Sequence, residues 1–540
     1  MRKTLFVLLG FVLLLSLLLG ACGTKTTTTP ATTTAAPTTT AAVKTTTATV
    51  APTTTAAAPT GDKYGGTYKM AIGVGPSRPI GYPPEAAPDS YTAAAPALET
   101  LLRVKIDGTL EGVLATSWSV AADGTSVTLG LRKGVKFSDG SDFNADVCKW
   151  NMDLEIAAKQ ANAAAWLSIT KIDDYTIRIN TASYQNTILT NLSTGCTQQI
   201  SKASFDKNGI DATRLTPIGT GPFLFVSYER DSKLTYKRNP NYWDTGKPYL
   251  DGITMTVIAD QTVQKLAFQK GDIMIYAPLG LLDAKELKDS GKYQVRTGGG
   301  GPYVLIPDSM NPKSPWADVN VRFAASYALN RQALADALGF GFAIPAYQFL
   351  QGFPDTAIPG LNKTLYDPVK AKKLLSDAGY PNGFTTTIHV FTRMVPANYI
   401  TAVADQLKAV GINVNIDSPT AGAYEVLRYG TWDGLMGHGL AAFDNRNTDF
   451  TFYFTGLQFA YCKKPAGWDA GLAASLASPT PDPKLMQNLI QIMYDNMMFI
   501  PYIEQQAFLF RLQGVNEPNN EQYPVLTVRY SEIYLDKSLR

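Results

Sequence analysis

Apolar and polar residues alternate over several short stretches of the chain, and each such stretch predicts a strand with one buried face. Gly65-Gly66 opens onto Thr67-Tyr68-Lys69-Met70-Ala71-Ile72, Val127, Leu129 and Leu131 follow the Asp123-Gly124 turn, and Ile177 and Ile179 follow Asp173-Asp174. Elsewhere apolar residues recur at helical spacing. Ile400, Val403, Leu407 and Val410 predict a helix ended by Gly411, after which Ile412, Val414 and Ile416 alternate as a strand. Asp367-Pro368 supplies an N-cap and a first-turn proline to a helix that carries Leu374 and Leu375 and stops at Gly379. Phe323, Tyr327, Leu334 and Leu338 stripe a third helix, and Ala145 to Trp150 predicts a helix that packs Cys148 as a small hydrophobe. With strands and helices alternating, the fold class is α/β.

The N-terminus breaks this pattern. Arg2 and Lys3 precede an apolar run from Leu5 to Leu19, interrupted only by Gly10 and Ser16, and Leu19-Gly20-Ala21-Cys22-Gly23 follows. That run is shorter than the roughly 20 residues a membrane span needs. Small residues before a cysteine suit signal-peptidase cleavage, so residues 1–22 are expected to be a lipoprotein signal peptide and lipobox, with Cys22 the site of lipid attachment. The anchor would hold the protein on the outer face of the cytoplasmic membrane. Residues 23–61 are almost all Thr, Ala and Pro, a composition that cannot repay the entropy of ordering, and are expected to form a disordered linker.

Composition narrows the function further. The chain has 48 Lys and Arg against 45 Asp and Glu, a formal charge of +3 without a basic cluster, which excludes a nucleic-acid footprint. Only two histidines, His389 and His438, are present, in separate contexts, so no metal site and no cofactor is expected. The motifs of serine hydrolases, zinc proteases and dithiol oxidoreductases are absent, which leaves an exported hydrolase a poor reading. Among the cysteines, Cys148 is expected free, and Cys196 and Cys462 are the one possible pair. The 27 tyrosines and scarce charge suit a recognition surface of aromatic faces and hydroxyls.

Five blocks resemble one family. They are Asp107-Gly108-Thr109 with Leu114-Ala115-Thr116-Ser117-Trp118; Leu131-Arg132-Lys133-Gly134-Val135-Lys136-Phe137-Ser138-Asp139-Gly140 with Phe143-Asn144-Ala145-Asp146-Val147; Pro217-Ile218-Gly219-Thr220-Gly221-Pro222-Phe223 running to Lys237-Arg238-Asn239-Pro240-Asn241-Tyr242-Trp243; Val321-Arg322-Phe323-Ala324 to Asn330-Arg331; and Asp367-Pro368 to Ala378-Gly379-Tyr380. In this order and spacing they resemble the peptide/nickel-type (family 5) extracellular solute-binding proteins of ABC importers. Physically the glycines and turn dipeptides read as scaffold rather than ligand contacts.

The resemblance implies a two-lobed periplasmic-binding-protein-like fold with an extra small domain inserted in lobe one. Carried onto this chain, lobe one takes 62–98 and 217–300, the inserted domain 99–216, lobe two 301–504, and 505–540 returns to lobe one. Gly298 to Gly301 falls at the crossover; without a following Lys-Ser/Thr it reads as a hinge rather than a phosphate cradle. The implied function is capture of a small organic solute, peptide or peptide-like, and its delivery to an ABC transporter permease and ATPase complex, by a monomer. A receptor on the same scaffold that signals to a membrane sensor is the alternative. In oligopeptide-binding relatives a carboxylate after a Gly-Trp pair holds the ligand ammonium. Here the stretch reads Gly439-Leu440-Ala441-Ala442-Phe443-Asp444-Asn445-Arg446, and Asp444 stands one residue late, which reverses its face in an extended segment. The candidate ligand-binding residues are Tyr303, Tyr424, Trp432, Phe443 and Trp468 as aromatic walls, His438 as a hydrogen-bonding group, and Asp444 and Arg446 as charges.

Overall fold

A computed structural model describes residues 61–105, 109–278, 280–298, 300–353, 355–363, 365–392, 394–440, 446–454, 458–518 and 528–540. The predicted signal peptide, lipobox and linker, and Asp107-Gly108 of the first block, lie outside the described residues. The alternating patterns form strands: Thr67–Ile72, Ser126–Leu131 with Val127, Leu129 and Leu131 buried, and Thr176–Asn180 with Ile177 and Ile179 buried.

Thr67–Ile72 runs parallel to Gly252–Val257, and the antiparallel strands Lys233–Arg238 and Phe223–Glu229 complete a four-stranded sheet. Between its first strand and the others in sequence, the chain forms a separate antiparallel sheet in the order Ala115–Val120, Ser126–Leu131, Thr176–Asn180 and Ser168–Asp173. That sheet has its own core, in which Cys148 and Cys196 are buried. The insertion is joined to lobe one by residues of the third block. Glu99, buried, accepts hydrogen bonds from Thr220 Oγ1 at 2.9 Å, Tyr242 Oη at 2.6 Å and Trp243 Nε1 at 2.7 Å, while Asn239 Nδ2 donates to the Gly221 carbonyl at 2.9 Å. A Cβ on Gly219 or Gly221 would fall on the backbone of Ala97. The Gly-Thr-Gly-Pro and Asn-Pro-Asn-Tyr-Trp strings thus build a joint.

The second lobe carries a mixed six-stranded sheet in the order Ala343–Pro345, Ile500–Gln505, Pro302–Pro307, Leu435–Gly439, Phe384–Val390 and Ile412–Asp417. Its helices bury one face each, as the spacing predicts for Ala397–Lys408, whose Tyr399, Ile400, Val403 and Leu407 face the core; Gly411, at φ 102°, lets the chain turn into the next strand. Asp367 caps Pro368–Asp377 through the Lys370 amide at 2.8 Å. The arginines of the fourth block act as internal bolts. Arg322 donates to the carbonyls of Trp316, Asn496 and Met497, and Arg331, wholly buried, to those of Ser326, Ala346 and Pro501, tying helix ends to the sheet.

Three sequence expectations need correction. The stripe from Phe323 to Leu338 belongs to two helices, Val319–Ala328 and Arg331–Leu338, because Asn330 leaves the helical path and caps the second through the Ala333 amide. In Ile412–Asp417, a strand as expected, only Ile412 is buried and Ile416 is exposed, because this strand is the sheet's edge. Cys196 and Cys462 are both free thiols, one in the core of the insertion and the other in lobe two bonded to the Met498 carbonyl, so they form no disulfide.

The insertion also grips the second lobe. Asn186, fully buried, donates through its amide and side chain to the carbonyls of Leu476 (2.8 Å), Ser475 (2.7 Å) and Ser478 (3.3 Å), and accepts from Asn447 Nδ2 at 3.1 Å. Beside it Tyr184 donates to the Pro479 carbonyl at 2.6 Å. Among the described residues no helix is long and apolar enough to cross a membrane.

Candidate solute-binding site

Two strands carry the chain between lobes. Tyr293–Gly298, in a three-stranded sheet of lobe one, leads to Pro302–Pro307 in lobe two, and Ile500–Gln505 of lobe two leads back to Ala507–Leu512. They run side by side, with Gly298 opposite Ala507 and Pro302 opposite Glu504. A Cβ on Gly300 would fall on the Gln505 carbonyl, so glycine is what allows the two crossings to touch. Tyr303, just past the crossing, donates to Gln505 Oε1 at 3.0 Å and sets its ring against Tyr399 and Tyr502.

In lobe two, Leu435–Gly439 pairs with Pro302–Pro307 and places His438 opposite Val304. Tyr424, on the helix Ala421–Tyr429, donates its hydroxyl to the Gly437 carbonyl at 2.9 Å and lies 2.8 Å from His438 Nδ1. A hydroxyl has one proton; with that proton on Gly437, Nδ1–H is the donor to Tyr424 Oη and the imidazole is neutral. Burial pulls its pKa down to about 3. Phe459 meets the His438 ring edge-on at 5.0 Å, and Trp432 packs edge-on to Phe459 and Tyr461. The indole N–H of Trp432 is buried without a protein partner.

The predicted residues therefore divide. Trp432 and His438 meet at Phe459, and Tyr424 stacks on His438, all three buried. Tyr303 stands apart at the hinge. Trp468 is fully buried in the same lobe's core, edge-on to Phe450 and Phe454. Arg446 opens the helix Arg446–Phe454, where it is buried over the Phe353 ring at 4.1 Å and paired with Asp449 at 3.0 Å and Asp355 at 3.7 Å. Of these two carboxylates, Asp449 is wholly buried and Asp355 is partly exposed. Phe443 and Asp444 lie outside the described residues.

A cavity of ≈ 270 Å³ lies in lobe one beside the crossing strands, between the four-stranded and three-stranded sheets. Tyr68, Met70, Ile275, Arg296, Leu509 and Glu517 are among its lining residues. Arg296 pairs with Glu517, Arg511 approaches the same carboxylate at 3.5 Å, and Tyr68 Oη donates to it at 2.6 Å. None of these groups emerges from the sequence pattern. Tyr68 and Glu517 lie 449 positions apart, Arg296 and Glu517 221, and neither pairing has a local motif. Among the described residues no group of three or more His, Cys, Asp or Glu is placed to hold a metal ion.

With this two-lobed α/β fold, paired crossing strands and an insertion in its first lobe, the chain belongs to the bacterial extracellular solute-binding proteins, family 5, whose middle-region model matches residues 109–461. It is 31% identical over 339 residues, 62% of this chain, to the glutathione-binding protein GsiB of Pectobacterium atrosepticum. That match spans 65% of the relative's own length. Two solved structures share the fold. HbpA2 of Haemophilus parasuis superposes with TM-score 0.77 at 20% identity, covering 87% of this chain and 100% of that one. DppA of Helicobacter pylori, in complex with peptide STSA, gives TM-score 0.68 at 23% identity, covering 88% and 99%.

Proposed function

We propose that this chain is a lipid-anchored extracytoplasmic receptor that captures a short peptide or peptide-like solute between its lobes and hands it to an ABC permease and ATPase complex. The observation that carries the reading is the hinge: two touching strands, Gly300 against Gln505, are the covalent crossings between lobes, a geometry that permits closure by rotation about one line. The sheet memberships favour lobe one at 62–98, 217–300 and 505–540, the insertion at 99–216 and lobe two at 301–504. For the solute, the description of a relative as glutathione-binding and the peptide held by a structural neighbour favour a ligand of two to four residues. Glutathione is the first compound to test.

The ligand contacts in lobe two are proposed at Trp432, whose buried indole N–H has no protein partner, and, from the sequence, at Phe443 and Asp444; Tyr424 and His438 are buried and bonded to each other, Trp468 and Arg446 are buried in the same lobe, and Tyr303 stands at the hinge. Titration of full-length protein with glutathione and short peptides by calorimetry tests this. Asp444→Ala is expected to weaken binding about tenfold or more, as loss of a charge-assisted hydrogen bond would. Trp432 is packed, so Trp432→Phe, which removes the unpartnered indole N–H, is the cleaner probe there. Wild-type affinity in both variants would move the pocket elsewhere. Cys22→Ala should abolish incorporation of labelled fatty acid; label in that variant would refute the anchor.

A further inference from the structure

The charged cluster at the wall of the lobe-one cavity sets two cations, Arg296 in the lining and Arg511 behind it, against the one carboxylate of Glu517. Arg296, on a strand that crosses between lobes, has a side chain 5% exposed; its Nη2 pairs with Glu517, and its Nε has no protein partner. Arg511 shares the Glu517 carboxylate, and its Nε is also buried without a partner. Tyr68 Oη occupies the other carboxylate oxygen. Two guanidinium groups thus divide one carboxylate, and among the described residues that line the cavity Glu517 is the one acid. A buried cation short of counter-charge is costly, and an anion entering the cavity relieves that cost.

Shape limits what that anion belongs to. The space measures ≈ 270 Å³. It is smaller than the roughly 300–1,000 Å³ of pockets that hold whole small molecules. One amino-acid-sized group fits, its carbon chain against Met70, Ile275 and Leu509 and its charge at Arg296. Arg296 lies two residues before Gly298 and Leu509 two beyond Ala507, so both sit on the crossing strands.

We propose that this cavity is an anion-accepting subsite, in which Arg296, held in place by Glu517, takes a carboxylate of the solute. The proposal rests on the peptide-receptor reading above and adds the ligand's charge. The carboxylate can be an acidic side chain or a peptide C-terminus, and the two are separable.

The test is calorimetry on full-length wild type with four probes: tripeptides ending in glutamate or glutamine, each as free acid and as C-terminal amide. Neutralising the recognised carboxylate is expected to weaken binding at least tenfold. A difference between the two amides identifies the side chain as its source, and a difference between the glutamine acid and its amide identifies the terminus. Arg296→Gln should bind charged and neutral probes alike, while Arg296→Lys keeps part of the preference. The wild-type comparison stands even where Arg296→Gln fails to fold. Equal binding of all four probes to wild type, or a preference that survives in Arg296→Gln, overturns the subsite and leaves the peptide receptor standing. Binding of none of the four overturns both.

Discussion

Burying His438 against Tyr424 removes its charge from the physiological range. The ring takes up a proton in the unfolded chain near pH 6.5 but in the fold only near pH 3, because burial penalises the imidazolium. Between those values the unfolded state binds more protons, so stability falls as pH drops, by up to about 1.4 kcal/mol per pH unit. Glu504 behaves oppositely. Its carboxyl accepts only the Gln351 and Gly352 amides, one oxygen has no partner, and burial raises its pKa to about 8. The unfolded chain loses that proton from pH 4.5 upward, so this contribution to stability is full in acid and is lost as pH rises through about 8. Urea midpoints measured from pH 4 to 9 should therefore show His438→Gln flattening the acid limb and Glu504→Gln flattening the alkaline one. Unchanged limbs in both variants would mean that neither group is desolvated as described.

At the scale of elements, helices and strands whose own residues set their limits were legible. Asp367-Pro368 and Gly379 bound one helix, and Gly411 separates another from its strand, because caps and glycines act within a few residues. The helix through Asn330 was not legible as two, since its apolar stripe continues across the break and only the Asn330 cap marks it. Nor was the edge position of Ile412–Asp417, which depends on which strands lie farther off. For the candidate site, alternation and motif placed Tyr424, Trp432 and His438 in one lobe, but the Arg296, Glu517 and Tyr68 cluster joins three distant segments and has no signature along the chain. The hinge glycines were recognisable as a bend, while their contact with Gln505 is a tertiary fact. Gly300→Ala should force the crossing strands apart and destabilise the fold by about 1–3 kcal/mol, the usual cost of overpacking a tight contact. A urea midpoint equal to wild type would show that the strands do not need to touch.

For the whole molecule, the insertion and the second lobe are joined by hydrogen bonds away from the hinge. Asn186 and Tyr184 fasten the insertion to carbonyls of Ser475, Leu476, Ser478 and Pro479, so the insertion and lobe two are held together by bonds that need no solute. At about 1 kcal/mol net per hydrogen bond, losing the three side-chain bonds in Asn186→Ala would shift the open–closed balance roughly 160-fold towards open. X-ray scattering of solute-free protein should then report a larger radius of gyration for Asn186→Ala than for wild type. An equal radius would mean that these bonds do not govern closure. Solute capture itself is tested most directly by native mass spectrometry of the full-length protein with glutathione and short peptides added up to about 1 mM, where the standard binding free energy still detected is near −4 kcal/mol. A one-to-one complex with at least one of them, lost on denaturation, is the predicted result; the bare chain alone at every concentration would contradict it.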